Sequence, residues 1–177
     1  QALLERVILP AIKSDDALPE NPEGEAALAA GIAKLADTTP QSVAALPAIA
    51  AQVSGQHYTF TSEDGSYSFS LVLTFTEGSS TALVQQNDLT PLEIGLDGVL
   101  RVTPLPDSDP IFARGGWTAD NRFGFSLEGP GAGGSPSMWT LTFKEQKGSK
   151  EKPVSLLMRD TLAGEVYAYD GEATSNP

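Results

Sequence analysis

Ser149-Lys150-Glu151-Lys152 has the S-x-x-K spacing. In that spacing a lysine can take the proton of a serine three positions earlier and turn the hydroxyl into an acyl-accepting nucleophile. The chemistry needs a helix, which sets residues three apart on one face. Here the four residues lie between Gly148 and Pro153, in the most charged turn of the chain. A lysine so exposed stays protonated and is no base, so the spacing is a decoy. His57 is the sole histidine. On an extended strand it shares a polar face with Thr59 and Thr61, opposite Tyr58 and Phe60. A single histidine with no ordering partner builds neither a triad nor the usual metal site.

Other acidic and glycine-rich stretches fare no better. Asp107-Ser108-Asp109 opens like a calcium loop, but no glycine and terminal glutamate follow at EF-hand spacing. Asp15-Asp16 lacks that spacing too. Glycoside hydrolysis needs two carboxylates in environments that separate their pKa values, whereas the acids of the β-region fall at turns or on polar faces. Gly129-Pro130-Gly131-Ala132-Gly133-Gly134 precedes a strand and lacks the Lys-Ser/Thr end of a phosphate cradle. The sequence therefore predicts no catalytic residue, no metal site and no cofactor.

Arg114-Gly115-Gly116-Trp117 carries more information. Paired glycines inside a strand permit a bulge or a close backbone approach. Trp117 then projects into a barrel or its mouth, with Trp139 nearby. One reading is a ligand pocket lined by Trp117 and Trp139 and gated by Arg114. The other, which we favour, is a packed interior, where truncating a tryptophan costs ~3–5 kcal/mol.

These side chains must be placed by strands. The grammar changes near Val53. Before it, Leu3, Leu4, Val7 and Ile8 share a helical face that Pro10 ends. Lys13 to Pro22 reads as a linker. Asn21-Pro22-Glu23 reads as a helix start, with Asn as N-cap and Pro in the first turn, followed by an apolar stripe of Leu28, Ile32 and Leu35. Pro47 to Gln52 adds a short helical turn.

From Gln56 onward short alternating strands follow one another. Tyr67, Phe69, Leu71, Leu73 and Phe75 alternate with mostly polar partners, as do Trp139, Leu141 and Phe143. Glu63-Asp64-Gly65, Leu96-Asp97-Gly98 and Ala119-Asp120-Asn121 read as turns. The expected fold is mainly β: an antiparallel up-and-down barrel of about eight strands after two or three short helices, with a sandwich as the other solution. The expected divisions are a helical lead-in and linker over 1–52, a barrel over 53–160 and a tail over 161–177. In that tail Glu165 to Tyr169 either forms an extra strand or wraps the surface.

Composition narrows the partners. The chain has 177 residues, 11 basic against 23 acidic, for a net charge of -12. Nucleic acid and anionic membranes repel such a chain. Its one basic cluster, Lys144, Lys147, Lys150 and Lys152, is interleaved with Glu145 and Glu151, the pattern of a solvated turn. No apolar run approaches the ~20 residues that span a bilayer. Cysteine is absent, so no disulfide or thiolate chemistry is available.

Several stretches, in order, resemble the C-terminal region of a bacterial family of serine hydrolases related to β-lactamases and penicillin-binding proteins. Residues 2–11, Ala-Leu-Leu-Glu-Arg-Val-Ile-Leu-Pro-Ala, resemble the last helix of the family's catalytic domain; Ala17 to Pro22 resembles its inter-domain linker. Val53 to Phe60, Gly95 to Arg101 and Ala113 to Thr118 resemble the opening and middle strands of an appended lipocalin-like domain. The resemblance implies that the nucleophilic serine, its lysine and the tyrosine partner lie in an upstream catalytic domain of the same polypeptide. It implies an accessory role for this chain. The predicted barrel with Trp117 and Trp139 leaves a carrier of a small apolar ligand as the alternative, and the expected location is the cell envelope or outside the cell. It also implies an aromatic-over-cation contact of Tyr58 or Trp117 with Arg159, and adds Tyr58 to the candidate ligand residues.

Overall fold

The computed structural model describes Arg6 and residues 20–36, 39–62, 64–106, 108–129, 136–144 and 153–174. The expected Leu3–Ile8 helix, Asp15-Asp16, Asp107, the Ser149–Lys152 turn and nearly all of the Gly129–Ser135 loop lie outside these residues. The chain forms two compact units, 1–38 and 39–177.

In the first unit, helix α1 spans Pro22–Ala36. Asn21 caps it as its side chain predicts: Oδ1 accepts the Gly24 N–H at 2.9 Å, and the Asn21 carbonyl accepts the Glu25 N–H at 2.9 Å. Glu23 and Glu25 sit in the first turn, where the helix dipole favours negative charge.

The second unit begins with helix α2, Ala48–Val53, and then ten strands: β1 His57–Thr61, β2 Ser68–Thr74, β3 Thr81–Gln86, β4 Leu92–Gly95, β5 Arg101–Leu105, β6 Ser108–Ala119, β7 Arg122–Glu128, β8 Ser137–Phe143, β9 Val154–Asp160 and β10 Val166–Thr174. They form one sheet in the order β4-β3-β2-β1-β10-β9-β8-β7-β6-β5, and β4 also meets β6. That last pairing closes the sheet into a barrel of nine strands.

The barrel is therefore mixed, and the expectation of eight strictly antiparallel strands is corrected. The reason is parity. Each tight connection reverses the chain, so β4 and β6 run the same way, with β5 between them in sequence. β5 leaves the ring and pairs with β6 alone along the edge, and β4 and β6 become parallel neighbours through Gly95 and Arg114. β5 suits an edge: Pro104 has no N–H to offer a second neighbour, and the register slips between Thr103 and Leu105.

The barrel extends beyond the expected 53–160, and of the two readings of Glu165 to Tyr169 the extra strand is the one that forms. The chain does not leave the barrel at Asp160. It turns and forms β10, which pairs with β9 on one side and β1 on the other, as far as Thr174 opposite His57. Residues 39–53 likewise belong with the barrel. Ala50 and Val53 of α2 are buried in its core, with Leu46 and Ile49 packed against it.

Alternation places the core as the sequence predicts. Tyr58 and Phe60 point inward from β1; Phe69, Leu71 and Leu73 from β2; Trp139, Leu141 and Phe143 from β8; Val154 and Leu156 from β9. Phe60, Leu73, Ile94, Phe123, Leu141 and Val154 are wholly inaccessible to solvent. Each such side chain contributes about 1.5–3 kcal/mol on burial.

Candidate functional site

The four sequence-predicted ligand residues separate into two groups. β6 alternates so that Ala113, Gly115 and Trp117 face inward, leaving Arg114 exposed on the outer face. Tyr58 and Trp139 are buried and inward. Arg114 therefore does not gate the interior that the three aromatic residues line.

Gly115 explains the motif. A Cβ there would fall 2.4 Å from the Gly124 carbonyl oxygen and 2.6 Å from Phe125 Cβ. β6 and β7 approach too closely at this point for any side chain. Gly116, on the outer face, meets nothing.

Inside, aromatic rings run as a continuous chain. Trp117 lies 5.1 Å from Phe75, 5.4 Å from Phe123 and 5.9 Å from Phe143, between ring centroids. Phe143 meets Tyr58 at 5.9 Å. Phe123 leads to Phe125, which stacks on Trp139 at 5.7 Å. Such pairs contribute about 0.5–1.5 kcal/mol each beyond the area they bury. The sequence-predicted aromatics are thus members of one packed column.

The polar ends of these rings differ. Trp139 Nε1 donates to Ser137 Oγ at 2.9 Å. Trp117 Nε1 is buried with no acceptor, which costs about 1–3 kcal/mol. Burial raises the hydroxyl pKa of Tyr58 above its ordinary value. Arg159 is exposed on the outer face of β9, one residue beyond the inward Met158. The contact expected between Arg159 and Tyr58 or Trp117 is therefore not made, because the pleat sends them to opposite faces.

His57 also lies on the outer face, as expected, opposite Val72 and Thr174. Its carbonyl accepts the Thr174 hydroxyl at 3.4 Å. No group of three or more His, Asp or Glu among the described residues is placed to hold a metal. Open grooves run along the outer face. One of about 960 Å³ includes Thr61, Arg122, Ser155 and Leu157 in its lining, and another of about 420 Å³ includes Arg114, Gly116, Gly124 and Met138.

The buried charge lies elsewhere, at the seam where β5 leaves the ring. Asp97 is 4% exposed. Its carboxylate accepts Arg101 Nη2 at 2.7 Å and the Val99 N–H at 3.1 Å, while its backbone carbonyl accepts the Gln41 N–H at 2.8 Å. Arg101 Nη1 donates to the Val99 carbonyl at 3.2 Å. The Arg101 hydrogen bond holds the Asp97 carboxyl below its ordinary pKa; burial opposes this, and the Val99 N–H assists. Thr103, the other buried polar residue among those described, accepts the Glu93 N–H at 3.0 Å and ties β5 to β4. The loop between these strands is tight: a Cβ on Gly95 would lie 1.8 Å from the Val99 carbonyl oxygen. The sequence reading passed over this knot. Its signal was an acid and a base four apart across the Gly98 turn.

Neither a protein-family model nor a curated protein matches the chain. No described helix is long and apolar enough to cross a membrane.

Proposed function

We propose that the chain is a non-catalytic accessory domain of a larger polypeptide, a lipocalin-like barrel that packs beside a β-lactamase-related serine hydrolase domain and shapes access to it. The supporting observation is what fills the barrel. In the space where a carrier keeps its ligand stand the rings of Phe60, Phe75, Phe123, Phe125 and Phe143, each 8% exposed or less. The buried carboxylate of Asp97, paired with Arg101, is engaged at the seam. The residues that resemble the family's linker and appended domain supply the partner: the upstream catalytic domain.

The test has two arms. The chain alone should leave nitrocefin and p-nitrophenyl esters unchanged, and turnover that survives both Ser149→Ala and Ser54→Ala overturns the reading. Extending the reading frame upstream of Gln1 should yield a domain with an S-x-x-K helix, whose thermal stability falls when this chain is removed. A frame without such a domain also overturns it.

The carrier reading keeps one observation in its favour: the barrel end remote from α2 is lined by partly exposed aromatics, Tyr67 and Tyr167. It requires the interior rings to move aside. Saturable quenching of Trp117 and Trp139 fluorescence by a fatty acid would establish it in place of the accessory role.

A further inference from the structure

The inward face of the barrel outlasts the barrel. Tyr67 lies two residues before the inward Phe69 of β2. Tyr169 and Tyr167 lie two and four before the inward Gly171 of β10. β1 ends at Thr61, opposite Asp170, so the β1–β2 hairpin and the first residues of β10 project side by side past the same rim. Beyond it no opposing strand among the described residues covers them: Tyr67 is 51% and Tyr167 41% exposed, with Tyr169 half-buried.

The rings are fixed by what lies beneath. Tyr67 and Tyr169 flank Phe69 at centroid distances of 5.6 and 5.3 Å, Tyr169 edge-on at 86°. Trp139 also meets Phe69 edge-on, at 6.2 Å. The Tyr167 hydroxyl donates to the Glu165 carboxylate. The Tyr67 N–H donates to Ser62 Oγ at 3.0 Å, which pins the hairpin.

The charge around these rings is negative. The hydrogen bond to Glu165, with a smaller effect of Asp160, raises the Tyr167 hydroxyl pKa; that of Tyr169 is raised chiefly by burial. Asp160 Oδ1 accepts the N–H groups of Leu162 and Ala163 at 2.8 and 2.7 Å and so shapes the turn. Arg159, its neighbour, belongs to the outer face. Electron-rich ring faces beside carboxylates attract organic cations, and methylated ammonium groups lose little hydration on docking.

We propose that Tyr67, Tyr167 and Tyr169, with Glu165, form a rim site for a quaternary ammonium group, presented by a free choline-type molecule or by a methylated lysine of a partner. The site differs in place and charge from an apolar interior ligand pocket, and it stands whether or not the chain serves a hydrolase.

The test titrates the whole chain with choline chloride and with 3,3-dimethylbutan-1-ol, its neutral isostere, following the tyrosine ring signals by NMR. Choline should shift the signals of Tyr67, Tyr167 and Tyr169 saturably at millimolar concentration, with the alcohol at least about tenfold weaker. Tyr67→Ala should weaken choline roughly 3–10-fold, and Tyr67→Phe, which keeps the ring, should retain the affinity. Glu165→Gln should weaken choline several-fold. Both positions are exposed, so the variants fold, and circular dichroism verifies it. A trimethyl-lysine peptide that binds more tightly than choline assigns the cation to a protein partner; equal binding assigns it to a free molecule. Equal affinity for choline and the alcohol, or an unchanged Tyr67→Ala, overturns the proposal.

Discussion

The two ends of the barrel carry the same inward ladder and finish it differently. At one end α2 lies over the rings. Ser54, just after the helix, accepts the Phe75 N–H through Oγ at 2.9 Å and donates the same hydroxyl to the Phe75 carbonyl at 3.2 Å. Beneath that latch Ala50 is wholly buried and Val53 nearly so. At the other end the described ladder runs out as tyrosines open to water. The rings are of one chemical class. Only the presence of a cover decides whether a ring is core or surface, because burial arises when another element removes water from its faces.

The comparison breaks most readily at its covered end. Phe123→Ala, deleting a wholly buried ring that touches Phe75, Trp117 and Phe125, should cost about 3–5 kcal/mol, read as a lower urea midpoint at unchanged slope. Next comes the seam. Asp97→Asn leaves Arg101 without its charge partner and should cost roughly 3 kcal/mol at neutral pH.

The seam also sets a pH dependence. The Asp97 carboxyl titrates lower in the folded protein than in the unfolded chain. On acidification the unfolded chain therefore takes up this proton first. The stability from the pair is fully present above the unfolded carboxyl value of about 3.9 and is lost as pH falls through the folded value. Asp97→Asn should show a shallower acid limb in a stability-versus-pH series; an unchanged limb would show that other carboxyls set it.

Smaller effects sharpen the contrast between the ends. Val53→Ala removes two buried methyl groups from the cover and should cost about 1–2 kcal/mol in the same denaturation assay. Tyr67→Ala, an aromatic truncation at the open end, should change stability by about 0.5 kcal/mol or less. If Tyr67→Ala proved as costly as Val53→Ala, the open end would be packed after all.

Much of the barrel was legible because its strands obey period two. Phe69, Leu71 and Leu73, then Trp139, Leu141 and Phe143, announce both strand and inward face. β10 was not legible in the same way. Its inward positions are Tyr167, Tyr169 and Gly171, among the acids Glu165, Asp170 and Glu172, so it lacks the aliphatic alternation that marks a core strand. Its glycine has a reason only the closed ring reveals: a Cβ on Gly171 would fall 2.6 Å from both the Phe60 ring and Val154 Cγ1. Of the candidate ligand residues, Trp117 and Trp139 were correctly sent inward. The placing of Arg114 as their gate failed by one step of the pleat.

What the sequence determined by itself was local: strand positions, the Asn21 cap, the turns at Asp64 and Gly98, and the identity of the inward face. Those follow from steric preference and side-chain alternation, which act over a few residues. The tertiary structure alone decided the number of strands in the ring, the parallel contact between β4 and β6, the burial of Asp97 against Arg101 and the open tyrosine rim. Each depends on which distant segment arrives as a neighbour, and that depends on closure of the whole sheet.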